Sequence, residues 1–362
     1  MARSRKDAGS GNGKVLKDAS HVEPAIVIGD LILDVTHFGK VTRLSQESPV
    51  PILEQVETRV TLGGAGNAAV NLQAMLDYKF EGVANPPEVV LVTRTKPQGD
   101  GRGFYKNAER RVKTFFTTNG TAEIKQRYYA RHHGTTRLML RIDHPAPSYE
   151  CTEAREDQSW IQVLKEDPAI GKHSGRKPVL LVSDYGKGTV TRDSIQKWQT
   201  LYRNWSRNEF SVVVDPSKNT APENISGVFA VTPNQHQMQS IAEKGGFGHF
   251  PLEAQAGALV NDYGIKNVIV TLSEKGVLWT CRELQKWIPA SPVRNPVDVV
   301  GAGDVFAAWI AACVHVEGEC GTRTMQKWIT AANKLAGWSV NHLGAYQYTP
   351  ASIVRGLQND LG

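Results

Sequence analysis

The sequence predicts an α/β protein built on a doubly wound, mostly parallel sheet with a small lid of β-strands. Three observations carry that prediction. Short apolar runs such as Pro178-Val179-Leu180-Leu181-Val182-Ser183 recur along the chain, as expected of strands covered on both faces. Helix-like stretches separate them. Small, polar or acidic residues stand at the end of several runs, at Asp30, Asp184, Asn234, Thr271 with Ser273, and residues 301–304. In a parallel sheet those ends share one edge, where open α/β sheets take ligands.

The chain begins with about twenty small, charged and Gly-rich residues, read as a disordered basic tail over 1–20. Residues 21–362 read as one domain. Ala25-Ile26-Val27-Ile28 is the first strand, ending in Gly29-Asp30, and Leu31-Ile32-Leu33-Asp34 continues it. Asp30 reads equally as a ligand group or as a turn or cap residue. Residues 35–62 hold Pro49 and Pro51 and then alternate in part, so strands outside the main sheet are expected there. Gly63-Gly64-Ala65-Gly66-Asn67 opens a helix, and Glu88-Val89-Val90-Leu91-Val92-Thr93 is a second buried strand.

Residues 96–111 are polar and then helical. Residues 123–130 and 136–143 form two strands around His132-His133-Gly134. Together, 35–62 and 123–143 make the lid. Adjacent histidines on a strand point to opposite faces, so a solvated turn is favoured over a metal site. Strands at 178–183, 210–214, 227–231, 267–272 and 277–281 follow, with helices at 196–205, 253–263 and 324–342.

Composition excludes several classes. Forty-two basic against 36 acidic residues give a net charge of +6, part of it in the tail. That suits anionic substrates, but no basic stripe interleaved with aromatics points to nucleic acid. No run of about 18 apolar residues exists, so no membrane partner is expected. Cys151, Cys281, Cys313 and Cys320 lack metal spacing and suggest free thiols. The basic N-terminus lacks an apolar segment, so a cytoplasmic location is expected.

Val299-Val300-Gly301-Ala302-Gly303-Asp304 leads into the apolar run 305–314. Glycines there let a ligand approach the backbone, and the free N–H groups of a helix start attract anions. Asp304 fits a proton acceptor beside amides that stabilise a transferred phosphoryl group. The alternative is a tight turn before a core helix, with Asp304 an ordinary first-turn acid.

From Ala25 onward the chain resembles the ribokinase-like, or PfkB, carbohydrate kinases. The marks are Gly63-Gly64-Ala65-Gly66-Asn67 and Asp298-Val299-Val300-Gly301-Ala302-Gly303-Asp304. Within that family it looks most like the D-glycero-β-D-manno-heptose 7-phosphate kinases. That likeness lies in Arg43-Leu44-Ser45-Gln46-Glu47-Ser48-Pro49-Val50-Pro51, Ser183-Asp184-Tyr185-Gly186-Lys187-Gly188, Thr232-Pro233-Asn234 and Val270-Thr271-Leu272-Ser273-Glu274-Lys275-Gly276. The resemblance implies ATP-dependent phosphorylation of a sugar phosphate, with Mg²⁺. It makes Asp304 the general base and the backbone of Gly301, Ala302 and Gly303 the anion hole. It puts Asp30, Gly64, Asn67, Asp184 and Lys187 on the sugar side, and Asn234, Thr271, Ser273, Gly276 and Asn333 on the nucleotide side. A phosphate already on the substrate needs cations, and Arg43, Arg127 and Lys187 are the candidates, each of which also reads as a plain surface charge. A homodimer through the lid strands is implied as well.

Two departures stand out. The family usually has an acid three residues after the Asn of Thr-Pro-Asn, and Gln237 stands here; Asp215 or Glu243 are candidates to compensate. Val300 replaces a common Thr beside which many relatives bind a monovalent cation, so that site stays open. Two other readings stay open too: a PfkB-type kinase of another sugar or nucleoside, and a non-catalytic sugar- or nucleotide-binding regulator.

Overall fold

A computed structural model describes residues 22–83, 86–96, 112–132, 135–146, 163, 170, 177–293 and 296–358. The expected tail, His133, Gly134, Cys151 and the helical stretch before residue 111 lie outside them.

The chain starts in the middle of the main sheet. Strand β1 (Ala25–Gly29) lies between β4 (Val89–Lys96) and β8 (Val179–Ser183), parallel to both. On one side the sheet ends at β5 (Lys113–Thr121). On the other it continues through β9 (Ser211–Asp215), β10 (Ala230–Val231), β11 (Asn267–Thr271), β12 (Val277–Cys281) and β13 (Gln285–Ile288). Among the described residues of this sheet, only the pairs β11–β12 and β12–β13 are antiparallel. Because the chain builds outward in both directions from β1, a crevice opens beyond the carboxyl ends of β1 and β8.

The apolar runs are explained by two-sided burial. Val27, Leu91, Leu181 and Val213 pack into one core layer, while Ile26, Val90, Leu180 and Val212 pack into the other. Helices α1 (Ala65–Lys79), α5 (Ala302–Glu317), α6 (Thr322–Ser339) and α7 (Pro350–Gln358) cover the first layer. Helices α2 (Ser194–Ser206), α3 (Gln235–Lys244) and α4 (Leu252–Asn261) cover the second. Alanines 68, 69, 307, 308, 311 and 312 are all buried, which lets α1 and α5 pack closely.

A second, four-stranded sheet runs β3-β2-β6-β7. It joins β2 (Leu31–Leu44), β3 (Pro51–Gly64), β6 (Glu123–His132) and β7 (Thr135–His144). The pair β2–β6 is parallel and the other two are antiparallel.

Four readings of the sequence are corrected here. Leu31 to Asp34 do not extend β1 but begin lid strand β2, since the Asp30 carbonyl turns away to accept the Ala65 N–H at 3.0 Å. Strand β5 was not expected, because Thr117, Thr118, Asn119 and Gly120 blur its pattern. Helix α3 buries only Met238, Ile241 and Ala242 and so shows little apolar period. Strand β13 and helix α7, both short, also went unread.

Candidate active site

Asp304 is the third residue of α5, whose N-cap Gly301 has φ 79°. That left-handed turn needs glycine, and a Cβ there would stand 2.7 Å from Asn67 Nδ2. The close approach lets α1 and α5 share one site. Asn67 Nδ2 donates to Asp304 Oδ2 at 2.9 Å, and the Tyr185 hydroxyl donates to Oδ1 at 2.8 Å. Asp304 is 2% exposed. Burial pushes its carboxyl up to about 7, against the opposing pull of the Asn67 and Tyr185 hydrogen bonds. A carboxyl of that kind, next to helix-start amides, can take a proton near neutral pH.

Asn67 is held from behind. Asn71 donates to its Oδ1 at 3.0 Å and to the Tyr346 carbonyl at 3.0 Å, and accepts from the Tyr348 N–H at 2.9 Å. Gly64 opens α1 at φ 56°, where a Cβ would meet the Asp30 carbonyl at 2.4 Å.

Asp30 and Asp184 are buried, and other groups of the chain engage both. The oxygens of Asp30 accept the N–H groups of Tyr185, Lys187 and Thr189 at 3.0, 2.9 and 2.9 Å. Asp184 accepts from the Gly186 N–H at 2.7 Å, the Ser217 hydroxyl at 2.8 Å and the Thr220 hydroxyl at 3.0 Å. Each of the two therefore shapes the loop after β8. Lys187 pairs with Glu123 at 2.6 Å, joining that loop to the lid. Arg127 forms a buried ion pair with Asp34. Arg43 is exposed near the far end of β2, nine residues past Asp34, roughly 30 Å at strand rise, and the structure does not bring it to the others.

Asn234, Thr271 and Ser273 gather at neighbouring strand ends, and Asn234 and Thr271 bridge. Asn234 caps α3 in a reciprocal box with Gln237: its Oδ1 accepts the Gln237 N–H at 2.9 Å, and Gln237 Oε1 accepts the Asn234 N–H at 2.7 Å. Gln237 thus has a structural role at the position of the missing acid. Glu243 accepts from Gln239 and is exposed. Gly276 and Asn333 both lie against residues 288–290: a Cβ at Gly276 would meet the Ile288 carbonyl at 2.2 Å, and Asn333 donates to the Pro289 carbonyl at 2.8 Å.

Several residues of the site were not singled out from the sequence. Tyr185 and Asn71 contact it only through the fold. Asp34, an acid after the apolar Leu31-Ile32-Leu33, is 4% exposed, and its position inside a strand was the available signal. Lys125 places its ammonium 5.6 Å from the centre of the Tyr185 ring. Asp215, considered above only as a metal-side substitute, lies with a carboxylate oxygen 3.9 Å from where a Gly303 Cβ would stand. Burial, with Asp304 and Asp184 adding to it, holds the Asp215 carboxyl well above its ordinary range. No hydrogen bond reaches that carboxylate among the described residues, so a cation would fit beside it. No group of three or more His, Cys, Asp or Glu able to hold a metal occurs among the described residues. A cavity of about 580 Å³ around Lys266, Cys281 and Cys320 lies at the opposite edge of the sheet, away from Asp304.

Residues 179–352 match the pfkB family carbohydrate kinase profile. The chain is 28% identical over 337 residues to the Bifunctional protein HldE of Pelobacter propionicus, covering 92% of this chain and 62% of that protein. The Bifunctional protein HldE of Trichlorobacter lovleyi gives 28% over 337 residues, 91% and 62%. The chain therefore spans about three-fifths of the length of these relatives. Among solved structures, the ribokinase of Thermotoga maritima superposes with a TM-score of 0.63 at 19% identity, covering 93% of this chain and 100% of that one. Phosphofructokinase-2 of Escherichia coli in complex with potassium gives 0.68 at 15%, covering 93% and 99%. At those identities the structures speak for the fold. The profile match over residues 179–352, the fold and the relatives agree: the chain carries a region matching the PfkB carbohydrate kinases and is a kinase of ribokinase-like fold.

Proposed function

We propose that this kinase transfers the γ-phosphoryl group of ATP to the anomeric hydroxyl of D-glycero-β-D-manno-heptose 7-phosphate, giving the 1,7-bisphosphate. The observation that carries the reaction is Asp304: a buried carboxylate with a carboxyl near 7, in the first turn of α5. Asp304 takes the hydroxyl proton, and the amides of Gly301, Ala302 and Gly303 stabilise charge on the moving phosphoryl group. Mg²⁺ supplies charge neutralisation when bound, and Asp215 is the carboxylate that would hold it, directly or through water. Few protein ligands suffice, since Mg²⁺ binds largely through phosphates and water.

The sugar rests on the Arg43 to Pro51 stretch and on relatives named Bifunctional protein HldE over most of this chain. Lys125, whose charge acts on Asp304, and Lys187 and Arg127, which pair with Glu123 and Asp34, are the cations suited to a substrate phosphate, while Arg43 lies apart near the far end of β2. The test offers purified protein ATP, Mg²⁺ and a panel of sugar phosphates. Turnover of the heptose 7-phosphate should exceed that of fructose 6-phosphate and ribose. Equal turnover sinks the substrate assignment. Asp304→Asn should bind both ligands but turn over at least ~100-fold slower; an active variant removes Asp304 from the chemistry.

A further inference from the structure

Asp304 offers two oxygens, and each receives a donor from a different element. The two donors are fixed by separate means. Asn67 is anchored through Asn71 to residues 346 and 348. Tyr185 is anchored through its backbone, since its N–H and those of Lys187 and Thr189 all end on Asp30. Asp30 lies at the end of β1, so the loop after β8 is pinned to the centre of the sheet and its one phenol is aimed at Asp304.

The charges around Asp304 act in both directions. Asp34 on β2 and Asp215 at the end of β9 oppose it, and Lys125 on β6 supports it. Burial also opposes it. Under those conditions a neutral donor on each oxygen matters, because hydrogen bonds to a carboxylate favour its charged form. A phenol donating to Oδ1 also fixes the carboxylate plane and leaves the remaining lone pairs to accept a proton.

We propose that Tyr185 is a positioning residue for phosphoryl transfer: its hydroxyl, opposite Asn67, orients the Asp304 carboxylate and keeps it ionised as the base. This rests on the reading of Asp304 as base. Neither the sequence motif nor the family comparison assigns Tyr185 that role.

The test is the pH dependence of kcat/KM for wild type, Tyr185→Phe, and protein carrying 3,5-difluorotyrosine at 185. Tyr185→Phe loses the donor, so its acid limb should move up by about one pH unit. Its kcat/KM should fall about tenfold on the acid side and return to within about twofold of wild type at high pH. KM for ATP should stay unchanged. Difluorotyrosine, a stronger donor, should move the limb down. A merely structural contact would lower activity at every pH without moving the limb. An unmoved limb in both variants overturns the inference, as does a shift of the same sign in both. If Tyr185→Phe fails to fold, the difluorotyrosine protein decides alone. Asp304→Asn is measured in parallel: if it stays active, the base reading fails; if it is inactive while the limbs do not move, only the role of Tyr185 fails.

Discussion

Asp304 serves two opposed demands. A base must be ionised at the working pH, and burial works against ionisation. Its carboxyl rises from an ordinary 3.8 to about 7. Between those values the folded state holds a proton that the unfolded chain has released. Stability contributed by this group is therefore present at low pH, falls as pH rises through that window, and is lost above about 7. Asp304→Asn removes the titration. Its thermal midpoint should exceed that of wild type at pH 8, and the difference should shrink as pH falls from 8 to 5. A difference that does not change between pH 5 and 8 would show that the Asp304 carboxyl is not raised into that window and is ionised throughout it. The same group should set an acid limb in wild-type kcat/KM near pH 7, because that parameter follows the free enzyme.

Two helix starts bring the reacting groups together, and both depend on backbone that bulkier residues resist. Gly301→Ala forces a left-handed turn on a residue with a Cβ, at a cost of about 1–2 kcal/mol. It also drives that Cβ toward Asn67 Nδ2, 2.7 Å away, and toward Ala345. We expect a drop of a few degrees in the unfolding midpoint and a fall in kcat of at least ~10-fold, since the displaced Asn67 holds the base. Unfolding scans and steady-state rates measure both, and full kcat would show that the site tolerates a shift of Asn67. The elements themselves were legible in the sequence for a physical reason. Strands covered on both faces, such as Val179–Ser183, must be apolar throughout, and an Ala-rich helix core such as 305–314 leaves an equally plain mark. Their polar ends were legible as a group because parallel strands share an edge. The work of individual residues was less so. Asp30 caps a loop more than 150 residues away, a contact that no local pattern records. Tyr185 reads as one more loop aromatic until the fold aims it. Gln237 was noted only as a lost acid, although Asn-x-x-Gln is itself a capping-box pattern.

At the scale of the molecule, the site sits where two sheets meet. The main sheet supplies Asp184, Asp215 and the α5 entry; the lid supplies Asp34, Glu123, Lys125 and Arg127. Ion pairs tie the parts together. The Lys187–Glu123 pair crosses from the loop after β8 to the lid, and the Arg127–Asp34 pair links β6 to β2 inside it. Both partners of the second pair are nearly buried, with side-chain exposures of 7% and 6%. The two pairs therefore differ in weight: the first is open to water on the lysine side and screened, while breaking the second strands a carboxylate inside the protein.

That difference predicts how the lid comes apart. Arg127→Met should destabilise the lid by about 3–5 kcal/mol, the range for leaving one partner of a buried pair uncompensated. The lid residues Leu31, Leu33, Val60 and Leu62 share the first core layer with Val27 and Leu181, but the second layer, with Ile26 and Leu180, holds no lid residue and sustains the main sheet. Local unfolding follows such divisions. Amide exchange should therefore quicken over β2, β3 and β6 while β1, β8 and β9 keep their protection. Arg127→Met combined with Asp34→Leu removes both charges and should restore most of the lost protection, since well-packed apolar replacements of a buried pair are often neutral or stabilising. Activity should not return, because Arg127 is one of the cations proposed for the substrate phosphate. Equal loss of protection across both sheets would mean that lid and main sheet unfold as one unit. No loss at all would mean that water reaches the pair in solution.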